Sequence, residues 1–158
     1  MAGLIPILAV AAAATINVPA ELGNTVDKAS AKSGLDVLIP QTIPFGEKKR
    51  VFPDLDVIKG GYTLHLGLVK HCGGAGACYL AYFNGEQDGE LLGEVKVKLH
   101  KGIKGRFARS TCGANCSAPL ISFKKGGVAY TIAVKSVTGN EKRKMKKIAN
   151  SAIDAGPR

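Results

Sequence analysis

The chain has 158 residues, and a domain usually takes about 100–200, so one domain is expected. Hydrophobic residues make up 46%, near the globular average of roughly 45–50%, which excludes wholesale disorder. No apolar run reaches the roughly 18–20 residues of a spanning helix, which excludes a polytopic membrane protein. The net charge of +10 is lopsided: residues 101–158 hold thirteen basic and two acidic residues, while the first hundred residues together are close to neutral. A one-sided positive field attracts anionic surfaces such as phospholipid or polysaccharide.

In chain order, Gly3 to Ile16 is an almost unbroken apolar stretch of the size of a signal-peptide core. Val18-Pro19-Ala20 offers small residues at the −3 and −1 positions, so residues 1–20 read as a signal peptide, with cleavage after Ala20. Ala12-Ala13-Ala14 is an earlier candidate site. The basic residues usual ahead of such a core are missing from Met1-Ala2. Residues 21–158 then form the mature domain, exported to the periplasm or secreted.

Thr25 can cap a short helix that Gly34 stops near Ser33. Leu35 to Ile39 reads as a strand ended by Pro40, and Glu47-Lys48-Lys49-Arg50 as a charged turn. Tyr62, Leu64, Leu66 and Leu68 alternate with Thr63, His65 and Gly67. Cys78 to Phe83 reads as an aromatic strand and Asn84 to Gly89 as a polar turn. Val95, Val97 and Leu99 point one way, and Lys96, Lys98 and His100 the other, the pattern of a half-exposed antiparallel strand. Ile103 to Ala108 can continue the sheet. Leu120–Lys124 and Val128–Val134 flank Lys125-Gly126-Gly127, a hairpin signal. Asn140 can cap a last helix, in which Met145, Ile148, Ala149, Ala152 and Ile153 make one apolar stripe. Many short strands followed by one helix define an α+β fold, a mainly antiparallel sheet packed on a C-terminal amphipathic helix and a short N-terminal one.

The cysteines fall as Cys72-x5-Cys78 and Cys112-x3-Cys116, both pairs in glycine- and alanine-rich turns. In an exported chain, four cysteines imply two disulfides with three connectivities. Small residues let each turn close on itself, so Cys72–Cys78 and Cys112–Cys116 are expected, to pin loops at one edge of the sheet. An alternative is a [2Fe–2S] electron-transfer protein, because the pattern is similar to thioredoxin-like ferredoxins, in which a cysteine pair precedes a later C-x3-C. The amphipathic helices of that fold are missing between the pairs, and cluster ligation needs four thiolates. Zinc, with His71 as a further ligand, is disfavoured by the wide x5 spacing.

Other motifs lead nowhere. Gly74-Ala75-Gly76 lacks the rest of a phosphate loop. His65 and His100 sit on polar strand faces and converge on a metal or substrate only if their strands pair. Asp54 and Asp56, two apart, share one face if they lie on a strand. No catalytic, cofactor-binding or metal-binding residues are assigned, and no cofactor is expected. The candidate anion-binding surface comprises Lys124, Lys125, Lys142, Arg143, Lys146 and Lys147.

Leu38-Ile39-Pro40, Cys72-Gly-Gly-Ala-Gly-Ala-Cys78, Gly102-Ile-Lys-Gly105, Cys112-Gly-Ala-Asn-Cys116, Gly127 to Ile132 and Ile148 to Ile153 carry a resemblance. Over roughly residues 30–155 the chain resembles a group of uncharacterised exported proteins found mainly in cyanobacteria. The closing strand and helix also look like those of extracytoplasmic sensor or anti-sigma-factor domains. The resemblance implies an extracytoplasmic α+β domain and no particular activity. The expected function is a non-enzymatic binding or structural domain stabilised by two disulfides. Its expected partner is an anionic membrane surface or polysaccharide, with no specific nucleic acid.

Overall fold

The computed structural model describes residues 14–47, 49–73 and 75–158. In chain order the elements are β1 (Thr15–Asn17), α1 (Val18–Leu22), α2 (Thr25–Ser33), β2 (Thr42–Pro44), β3 (Phe52–Ile58), β4 (Gly61–Gly67) and β5 (Tyr79–Gln87). They continue as β6 (Val95–Lys98), β7 (Lys104–Ala108), β8 (Thr111–Cys112), β9 (Cys116–Ser117), β10 (Leu120–Lys125), β11 (Val128–Val134) and α3 (Glu141–Ala155). Seven of the strands form one sheet in the order β3-β4-β5-β11-β10-β7-β6. Every neighbouring pair in it is antiparallel. The expected α+β class, with one face of an antiparallel sheet under helix, is what the chain adopts.

Period-two alternation explains the two faces. One row of inward side chains runs Leu55, Leu64, Phe83, Ile132, Ile121, Phe107 and Val95, one residue per strand. The stripe of α3, namely Met145, Ile148, Ala149, Ala152 and Ile153, is buried against this face, in the same core as Val26 and Ala29 of α2. A second inward row brings Tyr62 and Tyr130 to either side of Gly85. The glycine leaves the space that the Tyr62 ring fills: a Cβ there would lie 2.5 Å from the ring. The β10–β11 hairpin closes through Gly126 and Gly127, with φ of 59° and 78°. Two successive positive φ values define the tight turn that matches strand twist, and glycine adopts them at least cost.

Several expectations need correcting. Leu35 to Ile39 is not a strand. It is an extended segment with no ladder partner, and Val37, Leu38 and Ile39 are buried. Side chains satisfy part of its backbone instead: the Leu38 amide donates to Tyr62 Oη, and Tyr130 Oη donates to the Asp36 carbonyl. Asn84 to Gln87 is not a turn but the second half of β5, paired with both β4 and β11. Asn84 earns that place by donating from Nδ2 to the Tyr62 carbonyl and Thr63 Oγ1. The proline- and acid-containing stretch after the charged turn is the edge strand β3, where Pro53 is tolerated. Thr25 is the first residue of α2 and donates from Oγ1 back to the Leu22 carbonyl, Asn24 precedes the helix without a side-chain cap, and Gly34 ends it as expected with φ of 75°. Asn140 precedes α3 but makes no side-chain cap. The helix start is held instead by the Glu141 carboxylate, which accepts from both the amide and the hydroxyl of Ser110.

Residues on both sides of the expected boundary after Ala20 carry β1 and α1. β1 pairs with β2 through Thr15–Pro44, Ile16–Ile43 and Asn17–Thr42. Val18, its amide bonded to the Gln41 carbonyl, is fully buried. Residues 1–13 of the expected signal peptide lie outside the described residues.

Candidate functional site: the open face of the sheet

The face turned away from the helices is polar. One row crosses all seven strands: Asp56, Thr63, Asn84, Thr131, Ser122, Arg106 and Lys96. The row runs from carboxylate to cations. The loop between β5 and β6 crosses this face as a strap. Ser122 Oγ donates to the Leu92 carbonyl at 2.6 Å, and the Glu94 amide donates to the Phe107 carbonyl at 3.2 Å. Gly93, at φ of 107°, lies so close that a Cβ would come within 2.7 Å of the Phe107 backbone. The strap leaves Ser122 and Thr131 buried and divides the face into two hollows.

The first hollow, of about 510 Å3, is bounded by Leu92 and floored by Thr63, His65, Tyr82, Asn84 and Thr131. His65 Nε2 lies 3.2 Å from Asp56 Oδ2. This pairing is legible only in part: the two carboxylates share a strand face, but nothing in the sequence marks β3 as the strand beside His65. The other ring nitrogen, Nδ1, is enclosed and has no partner among the described residues. A general base must reach the proton it takes. With one nitrogen on Asp56 and the other walled in, the imidazole is placed as part of the sheet face. Burial raises the Tyr82 phenol above its ordinary range, with Tyr79 adding to the effect, so it stays neutral.

The second hollow, of about 470 Å3, lies over β6 and β7 and is bounded by Leu91 on the other side of the strap. Lys96 sits opposite Arg106, and Lys98 opposite Lys104. Lys124 lies one residue beyond the Phe123–Gly105 pair and so stands level with Lys104. All five side chains are on the outer face; four are exposed and Arg106 is half-buried. None forms an ion pair with a described residue.

The candidate basic residues therefore do not form one cluster. Lys142, Arg143 and Lys147 are exposed on α3, with Lys146 half-buried. Lys142 and Arg143 sit at the helix start beside Ser110, whereas the end of the helix meets His100 and Lys101. A helix of this length spans about 22 Å. The β10–β11 turn lies towards the far end, and Lys124 is on the opposite sheet face. Lys124 thus joins the strand lysines, not the helix ones. His65 and His100 do not converge: β4 and β6 are near opposite edges of the sheet, and His100 Nδ1 instead contacts Asp154 Oδ2 at 2.8 Å.

The cysteines pair as expected. Cys72–Cys78 closes with a Cα separation of 5.8 Å and Cys112–Cys116 with 4.1 Å. The latter is drawn together by the small β8–β9 ribbon, where Cys112 is the register partner of Cys116. Both loops lie at one end of the sheet. Tyr79 packs with Cys72, Ala118 and Ala133 in a small satellite core. Lys135 sits over the Tyr79 ring at 5.1 Å and donates to the Gly76 carbonyl. The iron–sulfur alternative fails on both requirements: the sulfurs are paired as disulfides, and β5, β6, β7 and a short 3-10 turn, not amphipathic helices, lie between Cys78 and Cys112. Among the described residues no three His, Cys, Asp or Glu side chains are grouped to hold a metal, and no helix is long and apolar enough to cross a membrane.

Comparison of the chain with family models, curated proteins and solved structures returns no match.

Proposed function

We propose that this chain is an extracytoplasmic, non-enzymatic binding domain that engages anionic partners through charge. The observation that carries this reading is the set of cations without counter-ions among the described residues, five on the outer sheet face and five on α3, borne by a scaffold with two disulfides. Disulfides persist in oxidising compartments, which supports export. So does the apolar leader, together with the resemblance to exported cyanobacterial-type proteins. Cleavage after Ala14 in place of Ala20 reconciles a leader with the fold, because it leaves β1 and Val18 in the mature chain.

An anionic membrane surface and an anionic polysaccharide share the chemistry this reading needs. Exposed charges attract over about one Debye length, ~8 Å at physiological salt, so binding is to fall steeply as salt rises. Co-sedimentation with phosphatidylglycerol vesicles and retention on immobilised heparin, each across a salt series, test it. Retention on neither at low salt overturns the reading.

A further inference from the structure

We propose that the hollow over β6 and β7 is a binding groove for a linear anionic polysaccharide, held by Lys96, Lys98, Lys104, Arg106 and Lys124. This deepens the anion-binding reading and rests on it, but assigns the binding to one face and one class of partner.

The geometry separates this site from the helix cluster. Cross-strand pairing places Lys96 beside Arg106, and Lys98 beside Lys104, on a rigid ladder. Neighbouring strands lie about 4.8 Å apart, and same-face residues along a strand about 6.6 Å apart. Five cations are thus held near one another, with no ion pair to a carboxylate among the described residues, beside the wall that Leu91 makes. Like charges set directly opposite in a sheet are mutually destabilising. A bound polyanion removes that repulsion. The α3 cations are split instead between two other hollows, Lys142 beside Glu141 in one and Lys144 with Lys147 in the other, and the helix N-terminus already carries its own carboxylate, Glu141. Arg106 adds a planar fork suited to a sulfate or carboxylate group.

The same face selects the class of partner. Asp54, Asp56 and Glu86 occupy its other half, on β3 and β5. A flat anionic bilayer laid across the whole face meets those carboxylates, whereas a narrow chain following the groove does not. The outward positions of β6, β7 and β10 carry no aromatic side chain, so there is no platform for stacking nucleobases.

The experiment uses the full chain and two charge-matched variants. One combines Lys96→Gln, Lys98→Gln, Lys104→Gln and Arg106→Gln; the other combines Lys142→Gln, Arg143→Gln, Lys146→Gln and Lys147→Gln. Each removes four positive charges, so binding governed by net charge alone weakens equally in both. Heparin is the polysaccharide probe, with a single-stranded oligonucleotide and phosphatidylglycerol vesicles as competing partners. The strand variant is expected to bind heparin about tenfold more weakly or worse, and the helix variant within about twofold of the parent, by the loss of four close contacts against none. Independently of any variant, heparin should protect Lys96, Lys98, Lys104 and Lys124 of the parent from acylation and leave the α3 lysines reactive. Equal losses in the two variants, protection confined to α3, or tighter binding to the vesicles or oligonucleotide than to heparin overturns the proposal while the broader reading stands. No binding to any of the three overturns both.

Discussion

The Tyr79 hydroxyl accepts a hydrogen bond of 3.1 Å from the amide of Ala118. Tyr79 follows Cys78, and Ala118 lies two residues after Cys116, so this one contact fastens the two disulfide loops to each other. Each disulfide closes a short loop, and loop-closure entropy gives such a bond about 2 kcal/mol. Tyr79→Phe leaves the buried Ala118 amide without its partner at a cost of about 1–3 kcal/mol. Denaturant unfolding should show this loss with both disulfides intact by mass. An unchanged midpoint would mean that the two loops are independent.

Glycines set two close approaches. Gly85→Ala drives a Cβ into the Tyr62 ring, which is itself fully packed. Overpacking of this kind costs about 1–3 kcal/mol. Gly93→Ala meets the Phe107 backbone, which cannot rotate away, and has to adopt a positive φ. It should lift the strap, freeing the Ser122 hydroxyl. Hydrogen exchange at Glu94 distinguishes the two: fast in Gly93→Ala, near the parent rate in Gly85→Ala.

Two buried phenols predict an alkaline transition. Burial, and after it the charge of Asp36, pushes Tyr130 up to about 12 from 10.0. Burial also raises Tyr62, against a smaller lowering by the Leu38 amide. In the unfolded chain both ionise near pH 10. A folded pKa above the unfolded one means that the folded state holds its proton more tightly. The stabilisation is therefore complete below about pH 10 and is lost as pH rises towards about 12. Urea midpoints measured from about pH 9 to 11.5 should fall, and fall less in Tyr130→Phe. Identical slopes for parent and Tyr130→Phe would rule out Tyr130 as a cause.

The proposed leader makes a prediction of its own. Intact mass of protein recovered after export should correspond to a chain beginning at Thr15. A form beginning at Glu21 loses β1 and Val18, and burying one such side chain stabilises by about 1.5–3 kcal/mol. That truncated form should melt well below the longer one, and equal melting would show β1 to be dispensable.

Met145 is fully buried at the start of the α3 stripe. Met145→Asp places an unpaired charge there and should cost several kcal/mol, enough to unfold much of the population at room temperature. Circular dichroism reads the outcome, with Lys142→Asp, at an exposed position, as the comparison.

The sheet was legible where alternation was strict. β4, β6 and the stripe of α3 follow directly from the spacing of their apolar residues, and β10 and β11 from the glycine turn between them. Leu35 to Ile39 misled because a fully buried extended segment and a buried strand share the same composition, and only the distant Tyr62 and Tyr130 hydroxyls decide between them. Asn84-Gly85 looks like a turn because the residue that explains Gly85 lies on another strand, at Tyr62. The disulfide pairs were readable because their loops close locally. The basic groove was not, because Lys96, Arg106 and Lys124 belong to three strands, and the β7–β10 register that sets Lys124 level with Lys104 is closed across the β8–β9 ribbon, with no tight turn to mark it. The alternation of lysines in β6 was the available signal.

β6 and β3 are the two edges of the sheet, and an edge offers unpaired backbone groups to any other chain. The lysines of β6 make that edge repel a second copy of itself, and Pro53 removes a donor from β3. The residues assigned to ligand capture therefore have a second duty as guards against fibrous self-assembly. Replacing Lys96 and Lys98 with apolar residues would leave a flat, sticky border of alternating valines, so a loss of solubility would accompany the loss of charge.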